Sequence, residues 1–227
     1  KTKRYAIIVA GGTGKRMNQK IPKQFQLLNN FPVLFYSIRA FKSAFRDIQI
    51  IVALPEKYFD TWKKLTVKYN QKMDYEIVCG GNTRFESVKN CLAKTGPAGF
   101  AAVHDAARPL ISISLIKKIF SFAEKKGNAV PYVPVNESIR EIGNGHNKAV
   151  DRQKYIVVQT PQCFSVPVLK DAYKQGFSNS FTDDSSVVEK INKEIFLVKG
   201  DPKNIKITFP SDIHYAESIL GGLNRQI

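Results

Sequence analysis

The chain has few of the residues on which metal, disulfide and nucleophile chemistry depend. Its 227 residues include 3 Cys, 3 His and 1 Trp. Cys79, Cys91 and Cys163 lie far apart and show no Cys-x-x-Cys or mixed Cys/His spacing, which argues against a zinc site and favours reduced thiols. No histidine stands beside a serine or cysteine in a nucleophile motif. These absences weigh against a metallohydrolase and against a catalytic triad.

The sequence also has no long uncharged apolar run. A membrane-spanning helix needs roughly 18–20 consecutive apolar residues, and no such run occurs. The apolar stretch at residues 5–10 is too short for the hydrophobic part of a secretory signal. We therefore expect no membrane segment and a cytoplasmic location. With 43% hydrophobic and 24% charged residues, the composition is that of a globular protein, and the length predicts a single domain over residues 1–227.

Residues 1–46 contain no acidic residue, and the first one in the chain is Asp47. The whole chain has 35 Lys+Arg against 19 Asp+Glu, and the resulting formal net charge of +16 favours partners that carry phosphate. The basic residues before Asp47 are Lys1, Lys3, Arg4, Lys15, Arg16, Lys20, Lys23, Arg39, Lys42 and Arg46. Those between positions 15 and 23 share one glycine-rich loop, whereas a nucleic-acid surface would spread them along a helix or among exposed aromatic residues.

Short β-branched runs alternate with amphipathic segments, and this alternation predicts an α/β fold. The expected strands are residues 4–10, 48–54, 75–79 and 100–104, and the expected helices are residues 33–45, 56–69, 84–93 and 115–124. Strand–helix–strand units are connected by right-handed crossovers, so we predict a mostly parallel sheet flanked by helices on both faces.

The pattern changes in the second half of the chain. A strand is predicted at residues 130–135, and residues 137–158 then indicate a protruding β-hairpin arm around the turn-rich segment 143–147. A lone hairpin is marginally stable in water, so we expect this arm to pack on a second copy of the protein. The remaining predictions are helices at 166–175, 183–191 and 211–220, and extended segments at 195–198 and 204–208.

The loop after the first expected strand, residues 10–17, reads Ala-Gly-Gly-Thr-Gly-Lys-Arg-Met. Its glycines let backbone N–H groups approach an anion closely. The loop is not a Walker A motif, because Arg16 stands where Ser or Thr is required, and Met17 replaces the third glycine of the dinucleotide fingerprint. Its cations suit a triphosphate whose charge must be neutralised during attack at phosphorus. These cations are Lys15, Arg16, Lys20 and Lys23. The alternative interpretation is an ordinary basic turn.

Residues 103–109, Val-His-Asp-Ala-Ala-Arg-Pro, follow another expected strand. They place Asp105 and Arg108 at the carboxyl end of that strand, which is the ligand edge of an open α/β sheet. A carboxylate there suits Mg²⁺ and a guanidinium suits a phosphate. The alternative is an Asp105–Arg108 ion pair that only stiffens the loop.

Residues 80–87, Gly-Gly-Asn-Thr-Arg-Phe-Glu-Ser, form a second glycine turn that opens a helix. The N-terminal amides of this helix, together with Arg84 and Ser87, suit a nucleotide. The alternative here is a plain turn followed by an N-cap.

These loops belong to a longer ordered set of motifs. The set comprises the loop 10–17 with Pro-Lys-Gln at 22–24, the turn 80–88, His-Asp-Ala-Ala-Arg-Pro at 104–109, Val-Asp-Arg at 150–152, Gln-Thr-Pro-Gln at 159–162, Thr-Asp-Asp at 182–184 and Asn-Ile-Lys at 204–206. In their order and approximate spacing, these motifs make the chain resemble the 2-C-methyl-D-erythritol 4-phosphate cytidylyltransferase family over nearly its whole length. The resemblance implies a Rossmann-like, GT-A-like nucleotidyltransferase fold. It also implies Mg²⁺-dependent transfer of CMP from CTP to methylerythritol phosphate, with release of pyrophosphate, in the non-mevalonate isoprenoid pathway.

The resemblance also implies roles for individual residues. Catalysis would fall to Arg16, Lys23, Arg152 and Lys206. The nucleotide would be bound by Ala10, Gly11, Gly12, Gly14, Lys15, Gly80, Gly81, Asn82, Arg84 and Ser87. The polyol phosphate would be bound by Asp105, Ala106, Arg108, Ser138, Arg152, Thr160 and Lys206, and Asp105 would also serve the metal. The hairpin arm would cross to the partner in a homodimer, so that Arg152 and Thr160 act at the neighbour's site. Ser138 stands where the family has Thr and keeps the hydroxyl.

Two other functions remain open at this point. A ribitol 5-phosphate cytidylyltransferase would share the reaction type and most motifs, although Ala107 and the Val-Asp-Arg-x-x-Tyr run at 150–155 favour methylerythritol phosphate. A basic nucleic-acid-binding protein without catalysis would bind DNA or RNA with a steep salt dependence and no need for CTP. A dehydrogenase is disfavoured because the dinucleotide fingerprint is missing.

Overall fold

The computed structural model describes residues 2–12, 22–70, 74–143 and 145–223. Gly14, Lys15, Arg16 and Lys20 of the glycine-rich loop lie outside these residues, so the predictions made for them stay predictions. Within the described ranges, no helix is long and apolar enough to cross a membrane.

Strands and helices alternate along the first half of the chain, as predicted, and several strands then follow one another after residue 127. The strands are β1 (Arg4–Val9), β2 (Leu27–Leu28), β3 (Phe31–Pro32), β4 (Gln49–Leu54), β5 (Glu76–Cys79), β6 (Phe100–Asp105), β7 (Asn128–Pro134), β8 (Arg140–Gly143), β9 (His146–Ala149), β10 (Ile156–Val158), β11 (Gln162–Ser165) and β12 (Leu197–Lys199). The α-helices are α1 (Val33–Ala44), α2 (Phe59–Lys68), α3 (Arg84–Leu92), α4 (Ile113–Lys126), α5 (Val166–Ala172), α6 (Asp184–Glu189) and α7 (Pro210–Leu223).

One mixed sheet forms the centre of the fold. Its order is β10-β7-β11-β6-β1-β4-β5, and β12 pairs with β7 beside this path. The strands β6, β1, β4 and β5 run parallel to one another, whereas β11 runs antiparallel to both of its neighbours, β6 and β7. This confirms the α/β class with a mostly parallel sheet, and it brings the carboxyl ends of β1, β4 and β6 to one edge.

Both faces of the sheet are covered, which explains why the central strands are continuously apolar. Along β1, Ala6 and Ile8 pack with α1, α2 and α4 on one face. Tyr5 and Ile7 pack with α3, α5 and α6 on the other face. All of these β1 side chains are buried. The helix α7 packs against the small β2–β3 hairpin in a separate cluster.

The structure differs from the sequence prediction at several segments: β2 and β3 were not predicted, and further differences lie at residues 162–165 and 204–208. Residues 162–165 form β11, which was not predicted, because four residues of Gln-Cys-Phe-Ser are too short to show a periodic pattern. Residues 204–208 form no strand, although the whole segment is described. Its backbone instead makes irregular hydrogen bonds, among them one of 2.8 Å from Ile207 N–H to the Ala107 carbonyl, beside the cavity described below.

The segment predicted as an arm divides into two parts. β8 and β9 pair as an antiparallel hairpin whose strand residues are all exposed. β10 pairs instead with β7 at the edge of the main sheet. The contact of this segment with a second copy stays a prediction.

Candidate active site

A cavity of about 320 Å³ lies at the carboxyl ends of β1 and β6, as expected for an open α/β sheet. Many of the predicted site residues line it, although they come from distant parts of the chain. They are Ala10, Gly11, Gly12, Lys23, Gly81, Asn82, Arg84, Ser87, Asp105, Ala106 and Lys206. The structure therefore brings together the glycine loop, the 80–87 turn, the 103–109 loop and the Asn-Ile-Lys segment.

The first wall of the cavity is the end of β1. Ala10 is held from two sides: its N–H donates to the Ala53 carbonyl at 2.9 Å, and its carbonyl accepts from the Gln24 side-chain amide at 2.7 Å. The Lys23 side chain runs over Gly12, where an added Cβ would lie 3.3 Å from Lys23 Cε. The Lys23 ammonium donates to the Ile207 carbonyl at 3.3 Å. Lys23 thus brings a positive charge beside exposed glycine backbone.

The second wall is the turn that opens α3. Thr83 and Glu86 form a reciprocal capping box, in which the Thr83 hydroxyl accepts from Glu86 N–H. The Ser87 hydroxyl accepts from Gly81 N–H at 3.1 Å and donates to the Thr83 carbonyl at 2.9 Å. Gly81 has no room for a side chain, because an added Cβ would lie 2.2 Å from Glu86 Cβ. The turn is therefore both an N-cap and a rigid cavity wall.

The charged centre of the cavity is Asp105. One carboxylate oxygen accepts from Arg84 Nε at 3.1 Å, and the other lies 2.6 Å from Lys206 Nζ. Burial alone would raise the pKa of Asp105, but Arg84 and Lys206 outweigh it and hold this pKa well below its ordinary value. Asp105 is thus ionised at neutral pH, and its ion pairs are with Arg84 and Lys206 rather than with Arg108.

Arg84 bridges two carboxylates. Besides Asp105, it makes a bidentate pair with Asp184, with Nη1 and Nη2 at 3.0 and 2.7 Å from the two oxygens. Asp184 is fully buried and also accepts from the Tyr173 hydroxyl at 2.7 Å. Burial would lower the pKa of Arg84, but the two carboxylates raise it well above its ordinary value. Arg84 lines the cavity, and its contacts with Asp105 and Asp184 are those of a residue that positions Asp105.

Several predicted residues lie outside the cavity lining. Gly80 lies close to Ser87, whose Oγ would be 3.2 Å from a Cβ added at Gly80. Arg108 donates from its side chain to the Asn204 carbonyl at 2.7 Å. Ser138 and Arg152 are exposed, and Arg152 donates to the Asn136 carbonyl.

Thr160 also lies outside the lining and is only 5% exposed. Its hydroxyl accepts from the Asp105 N–H of the same chain at 3.0 Å, whereas we expected it to act at a neighbour's site.

Sequence reasoning assigned no role to Gln159 and Asn204, whose amide side chains restrain the segment that precedes Lys206. Gln159 exchanges hydrogen bonds with the backbone of Asp201, donating at 2.9 Å and accepting at 3.2 Å. Asn204 donates from its side chain to the Thr160 carbonyl at 2.8 Å. The signal was available, because both amides belong to motifs already singled out. An amide side chain can donate and accept at once, which suits it to joining two loops.

The donor set at this centre would suit a metal ion that shares its coordination with substrate phosphates. Within the described ranges, no group of three or more His, Cys, Asp or Glu residues could hold a metal ion. Asp105 is the carboxylate that lines the cavity. Mg²⁺ typically takes one or two carboxylates and completes its octahedron with water and substrate phosphates, so a single carboxylate suffices.

Comparison with known proteins identifies the family of this chain. The family model for 2-C-methyl-D-erythritol 4-phosphate cytidylyltransferase matches residues 5–222. The enzyme of that name from Azobacteroides pseudotrichonymphae is 45% identical over 219 residues, which are 96% of this chain and 98% of the relative.

Solved structures are similar to this chain over most of its length. That of the Francisella tularensis 2-C-methyl-D-erythritol 4-phosphate cytidylyltransferase matches with a TM-score of 0.79 and 29% identity, covering 95% of this chain and 98% of that one. A bifunctional IspDF of Campylobacter jejuni has the same TM-score and identity, but this chain, matched over 94% of its length, covers only 54% of it. This chain therefore belongs to the 2-C-methyl-D-erythritol 4-phosphate cytidylyltransferase family.

Proposed function

We propose that the protein transfers CMP from CTP to 2-C-methyl-D-erythritol 4-phosphate, giving 4-diphosphocytidyl-2-C-methyl-D-erythritol and pyrophosphate on the route to isoprenoid precursors. The observation that carries this proposal is the convergence of Lys23, Lys206 and Asp105 on one cavity beside glycine backbone, in a chain of this family. Two phosphorylated substrates must meet there, and positive charge together with backbone N–H groups favours both of them.

The nucleotide side of the proposal uses the two glycine-rich walls. The triphosphate would lie on the backbone of Gly11 and Gly12 with Lys23 beside it, and Gly14, Lys15 and Arg16 would complete the same loop. Cytosine would lie against the 80–87 turn, which the Ser87 hydroxyl holds in shape. Backbone groups fixed in this way can distinguish the amino group of cytosine from the carbonyl of uracil.

The acceptor side centres on Lys206 and Ala106, which line the cavity, and Arg108 lies outside the lining with its side chain on the Asn204 carbonyl. A phosphate oxygen of the polyol phosphate attacks the α-phosphorus, a new P–O bond forms, and the bond from the α-phosphorus to the pyrophosphate oxygen breaks in line. Lys23 and Arg16 would stabilise the negative charge that grows on the α-phosphoryl oxygens. The rate acceleration comes from positioning and electrostatics, without a covalent enzyme intermediate.

Mg²⁺ would be held by Asp105 together with the nucleotide phosphates. When bound, the ion would supply charge neutralisation at the triphosphate. Asp105 is suited to this role because its low pKa keeps it ionised.

A homodimer is part of the proposal. On β10, Ile156, Val157 and Val158 are exposed although they are apolar, and Ile142 on the β8–β9 hairpin is 84% exposed. Apolar side chains along a sheet edge are typical of a surface that another chain covers. Arg152 and Ser138 lie on this same segment and outside the cavity of their own chain, which supports a role at the neighbour's site.

The test is pyrophosphate release by the purified protein with CTP and Mg²⁺, with methylerythritol 4-phosphate and ribitol 5-phosphate offered in parallel. We expect release with the first acceptor and little with the second. Release with ribitol 5-phosphate alone would keep the reaction type and overturn the substrate. Silence with both acceptors would overturn the enzyme assignment, and salt-dependent binding of DNA or RNA would then favour the nucleic-acid alternative.

A further inference from the structure

We propose that His104 is a positioning residue, which orients the Thr160 hydroxyl and through it holds Asp105 between Arg84 and Lys206. His104 is the β6 residue next to Asp105, and it is 0% exposed. Its ring packs edge-on against Phe41 of α1, with ring centroids 5.5 Å apart. This inference deepens the proposed function and rests on it.

The hydrogen bonds of the His104 ring are determined by the chemistry of its partners. Nε2 lies 3.1 Å from the Arg108 carbonyl, and a carbonyl can only accept, so Nε2 carries the proton. The buried Thr160 hydroxyl already accepts from Asp105 N–H, and its own proton needs an acceptor, which Nδ1 supplies. Nδ1 is then unprotonated and accepts a hydrogen bond from the Thr160 hydroxyl at 3.1 Å.

The Thr160 hydroxyl is consequently fixed in direction. Its one proton points at His104, and one of its lone pairs accepts from Asp105 N–H at 3.0 Å. Because the Thr160 hydroxyl donates its one proton to His104, it has none to donate to a substrate. Thr160 therefore contributes by holding the backbone from which the Asp105 carboxylate projects.

The His104 imidazole also holds together the two ends of the turn at residues 105–108, part of which lines the cavity. Arg108 N–H donates to the Asp105 carbonyl at 2.9 Å, which makes a tight turn of residues 105–108. His104 touches both ends of this turn, through Thr160 at Asp105 and directly at the Arg108 carbonyl. Asn204 binds the Thr160 carbonyl, so the same junction also restrains the segment that presents Lys206.

Two conservative variants separate the two ring nitrogens. In His104→Asn the side-chain oxygen takes the place of Nδ1 and can still accept from Thr160. In His104→Gln the amide nitrogen takes the place of Nε2 and can still donate to Arg108, but the acceptor for Thr160 is lost. Each variant buries one unsatisfied amide group, so they form a matched pair for stability.

The decisive measurement is a double-mutant cycle on kcat/KM for the polyol phosphate, with melting temperatures recorded alongside. We expect His104→Gln to lose about tenfold, because it removes the acceptor of the Thr160 proton. Thr160→Val should lose at least as much, since it also removes the acceptor of Asp105 N–H. The double variant should lose no more than Thr160→Val. His104→Asn should lose clearly less than His104→Gln at a similar melting temperature. Multiplying losses in the double variant, or equal losses in the Asn and Gln variants, would overturn the proposal.

A second measurement does not depend on activity. Nitrogen NMR of His104 in the wild-type protein should show a protonated Nε2 and a hydrogen-bonded, unprotonated Nδ1. In Thr160→Val the Nδ1 resonance should move toward that of a free acceptor nitrogen. A protonated Nδ1, or no change in Thr160→Val, would overturn the inference, whereas failure of the proposed function would appear as an inactive wild-type protein with this NMR signature intact.

Discussion

The ammonium of Lys206 lies 2.6 Å from a carboxylate oxygen of Asp105, and this contact joins the Asn-Ile-Lys segment to the end of β6. Lys206 is partly exposed, whereas Asp105 is nearly buried. The ion pair therefore holds the positive charge of Lys206 at the cavity, against a carboxylate that its surroundings keep in place. The same carboxylate also pairs with Arg84, at 3.1 Å from its Nε. Lys206, the cation assigned to the proposed acceptor, is therefore positioned by its contact with Asp105.

Lys206→Met should lower kcat/KM for the polyol phosphate by about 100-fold, because it removes a charge aimed at a phosphate. The matched control is Lys203→Met, an exposed lysine of the same segment that does not line the cavity. It should stay within about twofold of wild type, as expected for a surface change. Equal losses in the two variants, measured by pyrophosphate release, would exclude a specific role for Lys206.

The low pKa of Asp105 makes stability depend on pH in a stated direction. A carboxylate whose pKa is lower in the folded state adds stability above its unfolded pKa of about 3.9, and that stability is lost as pH falls toward the folded pKa. Asp105→Asn lacks this contribution, so it should be less stable than wild type at pH 7, by on the order of 2 kcal/mol. Urea unfolding between pH 6 and pH 3 should show the two stabilities converging as the pH falls. Parallel curves would contradict the assignment.

Gly81→Ala should damage the nucleotide wall, because the new Cβ would meet Glu86 Cβ at 2.2 Å. The capping box must then move, and we expect a loss of about 1–3 kcal/mol in unfolding free energy together with a weaker affinity for CTP. Gly176→Ala is the control, since an added Cβ there has nothing within 4 Å. It should change stability by less than about 0.5 kcal/mol and leave CTP affinity unchanged. Unchanged CTP affinity in the Gly81 variant would remove this turn from the nucleotide site.

The sequence predicted the parts of the site that are local, and it missed those that depend on tertiary contact. Each predicted helix is present, and the loops after β1, β5 and β6 meet at the cavity because the carboxyl ends of parallel strands share one edge. The partnership of Arg84 with Asp184 had no local signal, because 100 residues separate the two. Asp184 begins a short helix, so its pattern indicated only a helix start, and its full burial follows from packing of α5 on α6.

The net charge of the chain does not by itself describe the charge of the cavity. The excess of Lys and Arg indicated a phosphate site, but the cavity also contains the ionised Asp105, which the two basic residues Arg84 and Lys206 partly neutralise. Composition counts charges without showing which of them are already paired in the folded chain. Lys23 and Lys206 both line the cavity. The structure shows that the Lys23 ammonium contacts the Ile207 carbonyl, whereas the Lys206 ammonium contacts the Asp105 carboxylate.

The proposed exchange of arms between subunits can be tested by mixing two inactive variants. Lys23→Ala should lower turnover by at least about 100-fold with little loss of stability, because Lys23 lies at the cavity rather than in the hydrophobic core. Arg152→Ala should also be inactive if Arg152 reaches the neighbour's site. Each variant keeps the residue that the other has lost.

In a heterodimer of Lys23→Ala and Arg152→Ala chains, one of the two sites would combine an intact loop with an intact arm. Random mixing makes half of the dimers heterodimers, so about a quarter of wild-type activity should return if the subunits are related by two-fold symmetry. Tandem purification with two different tags isolates the heterodimers, which should show about half of wild-type activity in the pyrophosphate assay because one of their two sites is intact. If verified heterodimers stay as inactive as the parents, each site is built within one chain, and Arg152 has no part in the neighbour's reaction.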